Sequence, residues 1–245
     1  MRRQFRTNSF LLIGVLLSAI AACTSSETTA STDLPITTSM SASTSSAIES
    51  PTRHFAADIW ADNWFSLYIN GKLVGEDSVP ITTERSFNAD TIEFDATYPL
   101  TVAMAAKDFR ENNTGLEYIG TDRQQMGDGG VIAQITDTST GEVVAVTGED
   151  WLGLVIHRAP LDTNCERSAD SAADCTFEST AEPDGWIDAS FNDDTWVTAT
   201  TYSPDEVGAK DGYAQISWDP VAELIWTSSL TQDNTILWSY TIKGP

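Results

Sequence analysis

Basic residues are scarce in this sequence. Its 245 residues include 13 Lys and Arg against 36 Asp and Glu, and three of the basic residues precede residue 23. Without residues 1–22 the chain keeps 10 basic and 36 acidic residues, a net charge of −26. This charge repels phosphate groups over roughly the Debye length, about 8 Å at physiological salt. We therefore expect no binding to nucleic acid.

Motifs for catalysis are also missing. No GxSxG, HExxH, P-loop or GxGxxG pattern occurs, and the two histidines are His54, near a Ser/Thr-rich stretch, and His157, in an apparent strand. The adjacent acids Asp193 and Asp194 resemble a catalytic pair, but neighbouring residues rarely face one bond, which favours a structural turn. We expect a protein that is not an enzyme, with a glycan hydrolase as the alternative.

No apolar run near the N-terminus is long enough to span a bilayer. The uncharged run from Phe10 to Ala22 has 13 residues, whereas a transmembrane helix needs about 20. Because three arginines precede this run, residues 1–22 are expected to form a signal peptide. Ile20-Ala21-Ala22-Cys23 resembles a bacterial lipobox, which implies export and lipidation of Cys23, and hence a membrane anchor in the bacterial cell envelope. Ordinary cleavage after Ala22 is the alternative.

Large side chains are scarce between the signal and the body of the chain. Ser and Thr make up 17 of the 29 residues in 24–52, a composition that predicts a disordered tether with a span of about 30 Å. We therefore expect a signal peptide at 1–22, a lipidated Cys and Ser/Thr-rich linker at 23–52, and one domain at 53–245.

The body of the chain has no helical periodicity, and short alternating runs predict strands instead. The run Trp64–Ile69 is followed by Asn70-Gly71, a pair that favours a type I′ turn and predicts a hairpin returning at Leu73-Val74. A second hairpin is predicted from Val131–Ile135 to Val143–Val146. The other predicted strands are Leu100–Ala105, Leu154–His157, Tyr213–Trp218, Ala222–Trp226 and Thr235–Ile242.

Four segments carry a resemblance to a known family, and they occur in the family's order. They are Asp62-Asn63-Trp64 leading into Leu67–Lys72, Gly129–Ile135 followed by Thr147–Trp151, Gly185-Trp186 followed by Phe191–Trp196, and Leu224–Trp226. Together, over about residues 55–243, they resemble galactose-binding-like jelly rolls, the sugar-binding modules beside glycoside hydrolases such as α-rhamnosidases and β-galactosidases. The resemblance implies an all-β fold, a jelly-roll β-sandwich with ligands at its rim loops. An acidic insertion at about 161–184 departs from the family pattern.

Two cysteines remain once Cys23 is set aside. Cys165 and Cys175 form an even pair in an exported protein, which favours a disulfide. Closing so short a loop would stabilise the fold by roughly 3 kcal/mol. Metal binding is the alternative, although two thiols without a nearby His are a poor ligand set.

The longest segment without strand character runs from Lys107 to Gly130, and long loops in compact domains are commonly functional. Its polar side chains could bind sugar hydroxyls while an aromatic ring stacks on a pyranose. The candidate ligand-binding residues are Lys107, Asp108, Arg110, Glu117, Tyr118, Arg123 and Gln124. The alternative is a solvated loop whose charges pair internally.

Loop carboxylates also raise the prospect of a structural calcium ion, which members of the resembled family often carry. Asp58, Asp62 and Asp128 are the candidate oxygen ligands, although no DxDxDG-type loop is present. No other cofactor is expected. The expected function is that of a non-catalytic cell-envelope lipoprotein that binds carbohydrate or glycan-like ligands. The alternative is a structural lipoprotein that docks on another envelope protein.

Overall fold

The computed structural model describes residues 50–244, and strands dominate that part of the chain. The strands are β1 (Arg53–Asp62), β2 (Trp64–Ile69), β3 (Lys72–Glu76), β4 (Ala89–Ala96), β5 (Leu100–Lys107), β6 (Leu116–Glu117), β7 (Gln125–Met126), β8 (Gly130–Asp137), β9 (Glu142–Val146), β10 (Leu152–Arg158), β11 (Glu178–Ser179), β12 (Val197–Thr198), β13 (Thr200–Tyr202), β14 (Leu224–Trp226) and β15 (Asp233–Ile242). The helices are short: α1 (Ser171–Asp174), α2 (Pro204–Val207), and 3₁₀ turns at Thr163–Arg167 and Tyr213–Gln215.

Two antiparallel sheets form a β-sandwich, which confirms the all-β fold class. The first sheet has the order β13-β14-β8-β1-β4, with β9 also paired to β8. The second sheet has the order β11-β10-β15-β5-β2-β3, with β12 also paired to β10. The short strands β6 and β7 pair with each other. The expected lipidation of Cys23, the signal peptide and most of the tether lie outside the described residues.

The main core lies between the two large sheets, because alternate side chains of each strand point inward. Phe55 and Ile59 of β1, Met104 of β5 and Trp238 of β15 are fully buried there. Burial of such side chains contributes about 1.5–3 kcal/mol each to the hydrophobic stabilisation.

Aromatic loops cover the opposite faces of both sheets. Trp186 and Trp196 pack against Leu237 on the outer face of the second sheet. On the first sheet, Trp60 is fully buried and meets the ring of Tyr213 edge-on, with the centroids 5.6 Å apart. The segment that carries Asp193 and Asp194 is therefore a structural turn that seats Trp196, and the Trp196 N–H donates to the Asp193 carbonyl.

Most predicted strands are present, and both predicted hairpins are confirmed. Asn70 and Gly71 have φ values of 50° and 78°, as the turn between β2 and β3 requires. The predicted strand at Tyr213–Trp218 is wrong. It contains a 3₁₀ turn, because its rings pack on Trp60 and on each other and the Trp218 indole donates to the Tyr213 carbonyl at 3.0 Å. The strand predicted at Ala222–Trp226 begins only at Leu224.

The predicted disulfide between Cys165 and Cys175 is confirmed. It lies in the acidic insertion, where both cysteines are buried against Leu116 of β6. The insertion thereby packs on the segment from Lys107 to Gly130. That segment is not wholly without strands, because it contains the small hairpin of β6 and β7.

Candidate functional site

The seven candidate residues of the long segment fall into three groups. Lys107, Asp108 and Arg110 line a cleft on the outer face of the second sheet. Glu117 is buried with other carboxylates. The remaining candidates, Tyr118, Arg123 and Gln124, lie outside that cleft.

The third group holds the loop together. The Arg123 guanidinium lies over the Tyr118 ring, 3.8 Å from its centroid. Gln124 accepts from the Gly120 N–H and donates to the carbonyls of Glu166 and Ser168 at 2.7 and 2.9 Å. The Gln124 side chain therefore ties the loop to the disulfide-bonded insertion.

We call the cleft lined by Lys107, Asp108 and Arg110 the outer cleft. The register of the paired strands brings its lining residues together. Residues paired across five neighbouring strands form one transverse row: Trp64, Lys107, Thr235, His157 and Ser179. Directly paired residues of antiparallel strands point to the same face, so the row brings together side chains that are distant in sequence. The outer cleft has a volume of about 230 Å³ and is lined by Lys107, Asp108, Arg110, Ile156, His157, Ser179, Thr180, Glu182 and Thr235.

A chain of hydrogen bonds fixes the base of the outer cleft. Arg110 Nη1 donates to His157 Nε2 at 2.8 Å, so His157 must carry its proton on Nδ1. His157 Nδ1 in turn donates to Asn234 Oδ1 at 3.0 Å, and Asn234 Nδ2 lies 3.5 Å from Asp108 Oδ2. Burial, together with the charge of Arg110, lowers the pKa of His157, which agrees with a neutral imidazole.

Several polar groups around this base have no partner. Within residues 50–244, the side chains of Lys107, Ser179, Thr180 and Thr235 make no hydrogen bond, although all four line the outer cleft. Lys107 is held over the Trp64 ring, with Nζ 4.4 Å from the ring centroid. The outer cleft therefore presents unused donors and hydroxyl groups on a rigid strand framework.

A buried acid cluster lies beside the outer cleft and shares Asp108 with it. The cluster consists of Asp62, Asp108, Glu117 and Asp128. Asp62 and Glu117 are the last residues of β1 and β6, Asp108 follows β5, and Asp128 lies between β7 and β8. Burial raises the pKa of Asp62 and Asp108 well above the usual range, and the neighbouring carboxylates raise both further. Burial also raises the pKa of Glu117 to about 7 and that of Asp128 by a smaller amount.

Gly127 packs closely against Asp108 of the acid cluster. A Cβ atom at this position would clash with the Asp108 carboxylate, so a larger residue there would displace that buried group. In the described part of the chain, no hydrogen-bond partner reaches Asp62 Oδ2 or Asp108 Oδ1. Burying several carboxylates without partners favours their protonated forms at neutral pH.

The predicted calcium ligands are not arranged as a site. Asp58 is not a loop residue: it lies within β1, where its carboxylate accepts from Thr91 and Gln134 at 2.6 and 3.0 Å. Asp62 and Asp128 belong to the acid cluster instead. Among residues 50–244, no group of three or more His, Cys, Asp or Glu side chains is placed to hold a metal ion.

A second cleft lies at the edge of the second sheet, and no candidate residue lines it. This edge cleft has a volume of about 400 Å³. It opens between β11 and β12, where, among residues 50–244, Leu154–Ile156 of β10 pair with neither of these two strands. Its lining is rich in threonine, including Thr195, Thr198 and Thr200. It shares Ile156, His157, Ser179 and Thr180 with the outer cleft.

Sequence patterns missed five residues of the site. His157 carries only the signal of a strand residue, Thr235 begins a predicted strand, and Asn234 directly precedes it. Ser179 and Thr180 lie in the acidic insertion and carry no signal of their own. No helix among residues 50–244 is long and apolar enough to cross a membrane. The chain matches no family model, no curated protein and no solved structure.

Proposed function

We propose that this chain is a non-catalytic lipoprotein of the bacterial cell envelope that binds a saccharide in the outer cleft. The supporting observation is the set of unpartnered polar side chains on one transverse row of strands, at Lys107, Thr235 and Ser179. Sugar hydroxyls both donate and accept hydrogen bonds, so a rigid array of hydroxyl and ammonium groups suits them. The volume of about 230 Å³ suits one sugar residue of a longer glycan.

The finer fold assignment and the anchor belong to the same proposal. We infer a galactose-binding-like jelly roll from the four sequence segments, and a lipid anchor on Cys23 from the lipobox resemblance. A lipidated Cys at the end of a long tether would hold the sandwich near the membrane with its clefts accessible to glycans. The net charge of the chain opposes binding to nucleic acid.

Isosteric threonine variants test the site. We expect Thr235→Val to weaken saccharide binding about 5–10-fold, because it removes one unpartnered hydroxyl from the outer cleft. Thr198→Val is the matched control, because Thr198 lines only the edge cleft. The full chain would be screened on a glycan array with and without calcium, and hits would be measured by calorimetry.

Three results would contradict this proposal. They are the absence of binding to any saccharide, a loss of affinity in Thr198→Val but not in Thr235→Val, and hydrolysis of the bound glycan. A non-catalytic protein releases its ligand intact.

A second candidate function is docking on another envelope protein. Three exposed apolar side chains favour it. Leu161 and Phe177 of the insertion are 39% and 44% exposed, and Val197, which lines the edge cleft, is 56% exposed. Crosslinking in intact cells tests it. A single stoichiometric protein partner, lost in Leu161→Ser with saccharide affinity unchanged, would favour docking.

A further inference from the structure

Arg110 is a fixed guanidinium with one open edge. Its Nη1 donates to Asn113 Oδ1 at 2.6 Å and to His157 Nε2 at 2.8 Å. Within residues 50–244, Nε and Nη2 make no hydrogen bond. These two nitrogens form the edge that binds carboxylates through two parallel hydrogen bonds. The protein therefore orients the guanidinium and leaves its bidentate edge unused.

Among residues 50–244 no carboxylate forms an ion pair with this cation, although acidic residues are abundant in the chain. The ion pairs found among residues 50–244 involve Arg53, His54 and Arg158, and none includes Arg110 or Lys107. Asp108 is the acid of the hydrogen-bonded chain, and its charge would favour the protonated Arg110, but burial and the neighbouring carboxylates raise the pKa of Asp108 well above its usual range, which opposes its ionisation. Half-burying an arginine without a counter-ion is costly unless a ligand supplies the negative charge.

Lys107 adds a second positive charge to the same cleft. Its ammonium group lies over the Trp64 ring, and its direct cross-strand neighbour on the other side is Thr235. Contact with the ring holds the charge at the cleft without neutralising it. The two cations therefore line a small cleft beside one further carboxylate, that of Glu182, whose Oε2 accepts from the Trp186 indole at 3.2 Å.

We propose that the outer cleft binds an acidic saccharide, with the carboxylate of a uronate residue on the Nε and Nη2 edge of Arg110 and close to Lys107. This inference rests on the proposed function, because it names the ligand class of the same cleft. A planar carboxylate matches the fork of the guanidinium better than a tetrahedral sulfate ester does. The unpartnered hydroxyls of Ser179, Thr180 and Thr235 would bind the neutral part of the sugar.

Ligand pairs that differ only in charge test this inference. The full chain would be titrated by calorimetry with oligosaccharides of galacturonate and of glucuronate, and with the methyl ester of each. We expect one acid form to bind at least tenfold more tightly than its ester, because esterification removes the charge and one acceptor.

Two conservative variants complete the experiment. Arg110→Lys keeps the charge but loses the fork, so it should abolish the preference for the acid over the ester. Arg123→Lys should retain that preference, because Arg123 lies on Tyr118 outside the cleft. The unfolding midpoints of both variants show whether they fold. The comparison of acid with ester on the wild-type protein tests the inference even if a variant fails to fold.

The outcomes separate the two proposals. Equal binding of acid and ester, or binding of neutral or sulfated saccharides alone, would overturn the uronate inference and leave the proposed function standing. No binding of any saccharide would overturn both.

Discussion

Glu117 shows how a single buried acid makes stability depend on pH. Its folded-state pKa is about 7, raised by burial and by nearby Asp128, whereas an unfolded Glu titrates at about 4.3. Between these values the native state keeps a proton that the unfolded chain releases. The stability contributed by the protonated acid is therefore complete below about pH 4 and is lost as the pH rises through about 7.

We therefore expect Glu117→Gln to stabilise the protein at pH 8 and not at pH 4. Glutamine keeps an amide carbonyl for the Gln125 side chain, which donates to Glu117 at 3.1 Å. The two pKa values set an upper bound of about 3–4 kcal/mol on the gain at pH 8 relative to pH 4, and screening by solvent should reduce it to about 1–2 kcal/mol. Urea unfolding of both proteins across this pH range measures it, and a gain that is constant with pH would contradict the assignment.

The types of residue in the sequence predicted part of the outer cleft, but the other lining residues reach it only through the register of the paired strands. Lys107, Asp108 and Arg110 could be named because they lie in one long polar segment. His157 and Thr235 join them only because β10, β15 and β5 pair in a particular register. No local pattern contains that register. Likewise, Tyr118 and Gln124 have sugar-binding chemistry, but their side chains contact Arg123 and the insertion instead.

At the scale of elements, the disulfide-bonded insertion is the support for the long segment. The disulfide joins Cys165 to Cys175, and the backbone carbonyls of Glu166 and Ser168 accept from Gln124. We expect the double variant Cys165→Ser, Cys175→Ser to lose about 3 kcal/mol of unfolding free energy. Urea unfolding with and without dithiothreitol checks this value. The reductant should lower the midpoint of the wild type and leave that of the variant unchanged; equal responses would contradict it.

The sequence predicted strands and turns correctly where the residues of a turn determine its conformation by themselves. Asn70-Gly71 sets the hairpin of β2 and β3 because both positions need a positive φ. The segment Tyr213–Trp218 alternates like a strand, yet its aromatic side chains are used to cover Trp60 from outside the first sheet. The alternation was real, but tertiary packing of the rings overrode the strand preference.

At the scale of the whole molecule, few ion pairs offset the excess of acid. The chain has 36 acidic and 13 basic residues, while the ion pairs between residues 50 and 244 involve only Arg53, His54 and Arg158 as cations. Like charges destabilise the compact state by mutual repulsion. The acid cluster avoids part of this cost, because burial and mutual proximity raise the pKa of its members and so favour their neutral forms.

Screening by salt should therefore stabilise the fold. The Debye length falls from about 10 Å at 0.1 M to about 3 Å at 1 M, so distant carboxylates cease to repel one another. We expect 1 M NaCl to raise the thermal midpoint at pH 7.5 by about 3–6 °C, which corresponds to ~1.5 kcal/mol for a domain of this size. KCl should act equally, because screening depends on ionic strength. At pH 4.5 the rise should be smaller, because part of the negative charge is already neutralised by protons. An unchanged or lower midpoint at pH 7.5 would show that repulsion among the surface acids does not limit the stability of the sandwich.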